Sequence, residues 1–371
     1  MIIIFGIELF ICYVYLVVIS WIANQWDEIE EVRVSNKFKP KNTYSIIIPY
    51  RNEVNYLERC INSLLLLDGN IEHEIITVND HSEDESRHLM NQFRNDHIIH
   101  LDSSEFGKKA AIQRGIQEAK NHFIITLDAD CVVHKDWLKL IEESISNLNL
   151  DVLVGPVKFY EDQSFLSRFQ FMDISVTMAT TAAGIRSKKY FLSNGANFIY
   201  KKSLFDSVEG YDGNKEIASG DDVFLLEKFV NKNVEIGFLK SNRGAVISHA
   251  ENSWINLFKQ RKRWATKTKA YANKNILKLQ GFIFGMSLIS IINFIILPFI
   301  IGDAAIIIGM FVLFIKGVID FLLLNKMVHF FGGKKILRAF LPAFITYPFY
   351  YIIIGLQALI PTKVDWKGRK V

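Results

Sequence analysis

Apolar residues follow two patterns along this chain. At the ends they run almost unbroken: residues 1–23 carry one charge, Glu8, and residues 281–301 carry none. Two further apolar stretches follow, at about 304–324 and 336–361. A helix needs roughly 20 apolar residues to cross a bilayer core. The pattern therefore predicts an N-terminal transmembrane anchor (1–23) and a C-terminal membrane region (276–361) of about three segments. Residues 1–23 have neither a basic start nor an obvious small-residue cleavage site, which favours a retained anchor over a cleaved signal.

Between the ends, in residues 24–275, short apolar runs alternate with helical spacing. Ser45–Ile48 reads as a buried strand stopped by Pro49, followed by a helix in "YLERCINSLLLL". Glu74–Val78 is a second strand, and a polar loop then leads to a helix capped by Ser82 or Asp84. "HIIHLD" is a third strand, a helix starts after Gly107, and "HFIITLDADC" holds the fourth strand. Continuous apolar strands alternating with helices predict an α/β fold whose parallel sheet is covered on both faces. Ligands of such sheets bind at the carboxyl ends of the strands. Pro49 to Glu53, Asn79 to Ser82 and Asp128 to Asp130 all lie at those ends, so three polar loops should converge on one crevice.

Charge sharpens the picture. The net charge is only +4, and the excess Lys and Arg flank the apolar segments. That distribution fits a membrane surface and gives no reason to expect nucleic acid. "KQRKRWATKTKAYANKNILK" precedes the segment at 281, and Lys326, Lys334, Lys335 and Arg338 separate the last two. Basic flanks stay cytosolic, so the middle domain should face the cytosol, with Asp303 on the other side. The basic tail, 362–371, leaves two arrangements open. Three full crossings put it outside, whereas a re-entrant last segment, broken at Pro342 and Pro348, returns it to the cytosol. The three cysteines, Cys12, Cys60 and Cys131, are scattered and form no CxxC pair, which fits a reducing compartment.

The loops carry the candidate chemistry. Two carboxylates at i and i+2, Asp128 and Asp130, suit one hard cation, Mg²⁺ or Mn²⁺, whose remaining ligands come from water and substrate phosphates. Lys108, at a helix start after Gly107, suits phosphate oxygens, while Lys109 beside it reads as a solvated surface lysine. Asn79 and Asp80 are either base or ribose contacts or ordinary turn formers. Asp221 and Asp222 open an apolar-periodic helix; one of them can cap it, which leaves the other as a general base whose pKa its neighbour raises. Gln260, Arg263 and Trp264 share a helix face that could hold phosphate and a sugar ring. Arg261 and Lys262 lie on other faces, as in a basic helix resting on the membrane.

Taken in order, "PYRNE", "VNDHS", "GK", "DAD", "GDD", "QRKRW" and "WKGR" resemble the motifs of membrane-bound family 2 glycosyltransferases of the GT-A fold. That group includes cellulose, chitin and hyaluronan synthases and ceramide glucosyltransferase. The resemblance covers about residues 42–270. It implies an inverting transfer from a UDP-sugar to a lipid or glycan acceptor in the cell envelope, at a bacterial-type plasma membrane. Pro49, Asn52, Glu53 and Asp80 would hold the uridine, and Lys108 the diphosphate. Asp128 and Asp130 would form the metal-binding DxD pair, with Asp130 the nearer ligand. Asp222 would be the base, Gly195 and Asn197 would lie near the acceptor, and Gln260, Arg263 and Trp264 would form QxxRW. Asn79 stands where the family usually has Asp, Asp221 where it has Glu, and Gln113 where Asn is common. His249 is either a further metal ligand or a structural histidine. The resemblance also admits a processive synthase, although the few membrane segments favour a single transfer; a degenerate scaffold is disfavoured because every motif is intact.

Overall fold

The computed structural model describes residues 2–370, except 36–37, 94, 96, 161, 214–219, 268–269, 297, 300–301, 361–364 and 367–368. Lys367 and Gly368 of "WKGR" thus lie outside the described residues. The chain divides into two compact units. The first holds residues 1–28, 161–183 and 250–362, and begins with helix α1, Ile2–Asp27. The second holds residues 29–160, 184–249 and 363–371.

The second unit is built on a seven-stranded sheet. Strands β1 (Tyr44–Tyr50), β2 (His73–Asn79), β3 (Ile98–Asp102) and β4 (Phe123–Thr126) lie parallel in the order β3-β2-β1-β4. Helices α2 (Leu57–Leu65), α3 (Ser86–Gln92), α4 (Lys108–Glu118) and α5 (Trp137–Leu148) separate or follow them. The sheet continues through β5 (Val152–Val154), and a small parallel pair begins with β6 (Val157–Phe159). Helix α6, Phe165–Ser187, precedes β7 (Phe198–Lys201), which runs antiparallel between β4 and β5. Helices α7 (Lys202–Ser207) and α8 (Asp221–Val230) lead to β8 (Ile236–Phe238) and to β9 (Val246–Ser248), the partner of β6. The parallel half is as the apolar runs predict, and the antiparallel β7 makes the sheet mixed.

All seven residues of β1 are buried, as are Ile75, Ile76, Phe123, Ile124 and Ile125. That is why these strands read as solid apolar runs rather than alternating ones. β1 does not stop at Pro49, because it pairs with β2 as far as Tyr50 opposite Asn79. On its other side the pairing with β4 ends at Ile47 opposite Thr126. Proline, which has no N–H to donate, is tolerated where a ladder has already ended on one side. α3 starts at Ser86, and Asp84 caps it as expected: Oδ1 accepts from Ser86 N at 3.0 Å, while Oδ2 accepts from Val54 N at 3.2 Å. Ser82 instead serves the loop after β1, its Oγ accepting from Asn52 N at 3.1 Å.

Among the described residues of the first unit, three helical stretches are long and apolar enough to cross a membrane: Phe5–Asp27, Ile306–Phe330 and Lys334–Leu359. Helix α9 (Trp254–Lys267) precedes a shorter apolar helix, α10 (Asn275–Ile291), which passes into a π turn, Ile292–Ile296. Phe10, Ile307 and Phe314 expose their side chains, as lipid-facing positions do. Four charges of these stretches, Lys316, Asp320, Asp27 and Lys326, are paired. Lys316 Nζ lies 2.5 Å from Asp320 Oδ2, Tyr15 donates to Asp320 Oδ1, and Lys326 pairs with Asp27. Buried ions in a membrane need such partners. The helix Phe340–Leu359 runs on through Pro348.

α4 lies close on the sheet at Gly115, where an added Cβ would sit 2.6 Å from Ile47 Cγ2 and 3.2 Å from Val78 Cγ2. Helix propensity alone would favour Gly115→Ala by about 0.5–1 kcal/mol. Overpacking against fully buried Ile47 costs about 1–3 kcal/mol, so the clash should win. Gly115→Ala should lower the denaturant midpoint of the detergent-solubilised chain, and an unchanged or raised midpoint contradicts this packing.

Candidate active site

The chain leaves β1 for β2 on one side and reaches β4 on the other, so the strand order reverses between β1 and β4. Such a reversal opens a crevice at the carboxyl ends of the strands. The loops after β1, β2 and β4 stand there, as the sequence pattern predicts, and hydrogen bonds knit the first two together. Arg51 Nη1 donates to the carbonyls of Asp80 and His81, at 3.1 and 2.5 Å, and Nη2 pairs with Glu83 at 2.8 Å. Asn52, in the left-handed region at φ 52°, accepts from Glu83 N at 2.8 Å, and Glu53 N donates to Ser86 Oγ at 2.8 Å. Asn52 and Glu53 therefore shape the rim through their own loop contacts.

Asp80 is 2% exposed, and its Oδ1 accepts from Gly107 N at 2.9 Å, which ties the β2 loop to the start of α4. His81 stacks on Phe106 with ring centroids 4.0 Å apart. Asn79 donates from Nδ2 to Asp102 Oδ1 at 2.9 Å and accepts from Ser82 N at 2.9 Å. Its amide is thus turned to Asp102, and an aspartate in its place would set two carboxylates against each other. The first predicted uridine residue, Pro49, is a buried strand residue next to this rim.

One ammonium joins the acidic loops. Lys108, the first residue of α4, lies 2.7 Å from Asp128 Oδ1 and 3.1 Å from Asp221 Oδ2. Burial would lower its pKa, but Asp128, Asp221 and Asp222 outweigh that and raise it, so Lys108 is a cation at neutral pH. Asp222 Oδ2 accepts from Gly195 N at 2.8 Å, and Oδ1 from Val223 N at 2.8 Å. Gly195 O in turn accepts from Thr126 Oγ1 at 2.8 Å, so the end of β4 and the start of α8 are held through one residue. A Cβ at Gly195 would come within 3.1 Å of Asp221 Oδ2 and 3.2 Å of Lys108 Nζ. The absence of a side chain there lets the backbone close over the ion pair.

Asp130, two residues past Asp128, accepts from Ser248 Oγ at 3.1 Å and from Cys131 Sγ at 3.4 Å. The donor set fits a hard divalent ion in its chemistry: two carboxylates flank buried Ala129, and Mg²⁺ or Mn²⁺ draws its other ligands from water and phosphate. Among the described residues no group of three His, Cys, Asp or Glu is assembled to hold a metal. His249 follows Ser248, and its ring centroid lies 4.5 Å from that of Tyr56. Burial and Arg59 lower its pKa against the pull of Asp130, which keeps the imidazole neutral at pH 7. Cys60 and Cys131 are fully buried beneath the pair, where burial and the two aspartates raise both thiol pKa values and leave them unreactive.

Three expectations change. Asn197 is wholly buried: it donates to Pro156 O at 2.9 Å and Gly244 O at 3.1 Å and accepts from Trp137 Nε1 at 3.3 Å, so its side chain pins loops together instead of meeting an acceptor. Lys109, read as a surface lysine, is 8% exposed, with its ammonium 5.6 Å from the ring centroid of Phe224 and 6.0 Å from that of Tyr211. Arg261, read as membrane-facing, is 6% exposed in the first unit. It pairs with Asp173 Oδ2 at 2.8 Å, donates to Tyr350 Oη at 2.9 Å, and lies over the Trp264 ring at 4.1 Å.

Gln260, Arg263 and Trp264 all lie on α9 in the first unit, and Gln260 Nε2 donates to Glu251 Oε1 at 3.0 Å. Lys108, Asp128, Asp130, Asp221 and Asp222 belong to the second. Ser248, Asp173 and Tyr350 carry no signal in the sequence, because each matters only through a partner distant in the chain. Arg51 had a signal, since it lies inside "PYRNE".

Residues 45–208 match Glycosyl transferase family 2. Over 230 residues the chain is 26% identical to the poly-beta-1,6-N-acetyl-D-glucosamine synthase of Staphylococcus epidermidis, covering 60% of this chain and 53% of that protein. Over 144 residues it is 29% identical to a dolichyl-phosphate beta-glucosyltransferase of Trichomonas vaginalis, covering 35% of this chain and 44% of that protein. The chain thus spans about half the length of the curated relatives it matches. A mannosyltransferase from Pyrobaculum calidifontis, solved in complex with GDP-Man and Mn²⁺, superposes with a TM-score of 0.59 at 14% identity, covering 95% of this chain and 96% of that one. At that identity the likeness is one of fold. The crevice therefore belongs to a domain of the GT-A fold, and it is the stretch 45–208 of that domain that matches glycosyl transferase family 2.

Proposed function

We propose that this chain is an inverting glycosyltransferase that moves a sugar from a UDP-sugar to a lipid-linked or membrane-interface acceptor. The observation that carries the reading is the single ammonium of Lys108 shared by Asp128 and Asp221, with Asp222 held beside it through Gly195 N–H. A phosphate-binding cation, a metal-binding carboxylate and a candidate base thereby meet in one crevice. Asp222 takes the proton of the acceptor hydroxyl, and the hydroxyl oxygen forms a bond to the anomeric carbon as the bond to the UDP β-phosphate oxygen breaks. The diphosphate leaves with the electron pair, and a single displacement inverts the anomeric centre. Asp128 and Asp130 would hold Mg²⁺ or Mn²⁺, which when bound neutralises the departing diphosphate. Asp80 and the loop from Pro49 to Glu53 form the uridine side, and Lys108 meets the diphosphate.

Gln260, Arg263 and Trp264 offer a guanidinium suited to phosphate and an indole face suited to a sugar ring on one side of α9. On this reading the protein sits in a bacterial-type plasma membrane with its catalytic domain in the cytosol, which the membrane-length helices and their basic flanks support. The neighbour solved with GDP-Man and Mn²⁺ supports a nucleotide-sugar donor and a divalent metal. The dolichyl-phosphate relative supports a lipid acceptor, and the polysaccharide synthase relative favours the second reading, a processive synthase. The three membrane-length helices and one shorter apolar helix among the described residues leave little to line a polysaccharide channel, which favours single transfer.

Radiolabelled UDP-sugars incubated with membranes carrying this chain, followed by lipid extraction, should yield one labelled lipid bearing one added sugar. A ladder of products instead establishes the processive reading. Asp222→Asn should cut kcat by about 10²–10⁴-fold while calorimetry shows UDP binding within about twofold of the unaltered protein. Turnover that survives in Asp222→Asn removes the assigned base. Gly195→Ala, which presses a methyl group onto the Lys108–Asp221 pair, should lower kcat/KM by about tenfold, or ~1.4 kcal/mol of transition-state stabilisation, without moving the melting temperature. Unaltered kcat/KM rules out the close packing drawn for this residue.

A further inference from the structure

Lys108 does not divide its charge between equal partners. The Asp221 side chain is 10% exposed and that of Asp128 is 37% exposed, with Lys108 at 22% between them. A carboxylate as buried as Asp221 needs a counter-ion at all times, whereas Asp128 can exchange its partner for water or another cation. Asp128 Oδ1 already receives the ammonium at 2.7 Å, and a doubly charged ion on the same carboxylate would repel that ammonium. Gly195 closes over the Asp221 end of the pair, where a Cβ would touch both Asp221 Oδ2 and Lys108 Nζ. The lysine is thus anchored at its buried end and exchangeable at its open end.

We propose that Lys108 is the resident cation of the Asp128 site and that Asp221 positions it, so that Lys108 and a divalent metal compete for Asp128 until a diphosphate draws the lysine away. This deepens the reading of Asp128 as a metal ligand and rests on it. Metal alone has to displace the ammonium from Asp128. Metal arriving with a nucleoside diphosphate does not, because phosphate oxygens then take the ammonium. Metal and nucleotide consequently reinforce each other by more than their direct contact provides, and this coupling is reciprocal. Asp221 governs its size, since it is the anion that keeps Lys108 when Asp128 is given up. The assignment also gives Asp221 a role distinct from capping α8, whose first residue it is.

Mn²⁺ binding to the detergent-solubilised full chain, measured by calorimetry with and without saturating UDP, tests the proposal. Lys108→Met should bind Mn²⁺ alone about tenfold more tightly than the unaltered protein and should show weaker coupling to UDP. Asp221→Asn should do the opposite, binding Mn²⁺ alone several-fold more weakly with a larger gain on adding UDP. Asp221→Glu, which keeps the anion, should restore near-normal values and guards against a folding defect in the amide variant. A role confined to local structure would shift both variants in the same direction. Lys108→Met that binds Mn²⁺ no more tightly, or Asp221→Asn that loses coupling, overturns the proposal while leaving the metal reading in place. If the unaltered protein binds no Mn²⁺ with or without UDP, the metal reading fails and this proposal falls with it.

Discussion

A buried carboxylate has to be matched by a cation, and in this domain the match between Asp221 and Lys108 holds the site together. The two residues come from the starts of α8 and α4, more than a hundred positions apart in the chain. Their pairing draws in Asp128 from the end of β4, and Gly195 attaches Asp222 to the same point. Four segments remote in sequence are thereby fixed about one charged atom. The sheet supplies the approximate placement, since β1 and β4 are neighbours with oppositely directed connections. The electrostatic match refines it to hydrogen-bond distance.

Much of the parallel half of the sheet was legible because its burial is two-sided. β1, β2 and β4 announce themselves as unbroken apolar runs, and Gly107 marks the start of α4. Asp128, Asp130 and Asp222 stand out in the sequence because they punctuate such runs at strand or helix ends. What stayed hidden depends on partners elsewhere. Nothing around Lys109 tells of Tyr211 and Phe224, and a lysine beside a glycine reads as solvated. Arg261 sits in a basic run that looks membrane-facing, yet Asp173 and Tyr350 neutralise and bury it. The continuation of β1 past Pro49 was hidden for a related reason: whether a strand tolerates proline depends on which neighbour has ended, and only the register reveals that.

The first unit applies the same rule in a different medium. Its apolar helices carry few charges, and Lys316, Asp320, Asp27 and Lys326 are all partnered. Lys316 and Asp320 stand one turn apart on a single helix, so their charges cancel before any neighbouring helix is needed. Tyr15 then links that pair to α1. The unit thus joins the N-terminal helix to a helix about three hundred residues later through a polar contact, and such contacts between apolar helices specify partners more than they add stability.

The amide of Asn79 points to one more property of the domain. Because it donates to Asp102 and accepts from Ser82 N, positions 79 and 102 form a donor–acceptor unit at the tips of two neighbouring strands. Such a unit can be inverted, with an acid at 79 and an amide at 102, whereas two acids would lose the hydrogen bond and lean on Arg87, which pairs with Asp102, to offset both charges. Chains of this architecture should therefore vary at the two positions together, and transplanting either residue alone into another member would carry half of a hydrogen bond.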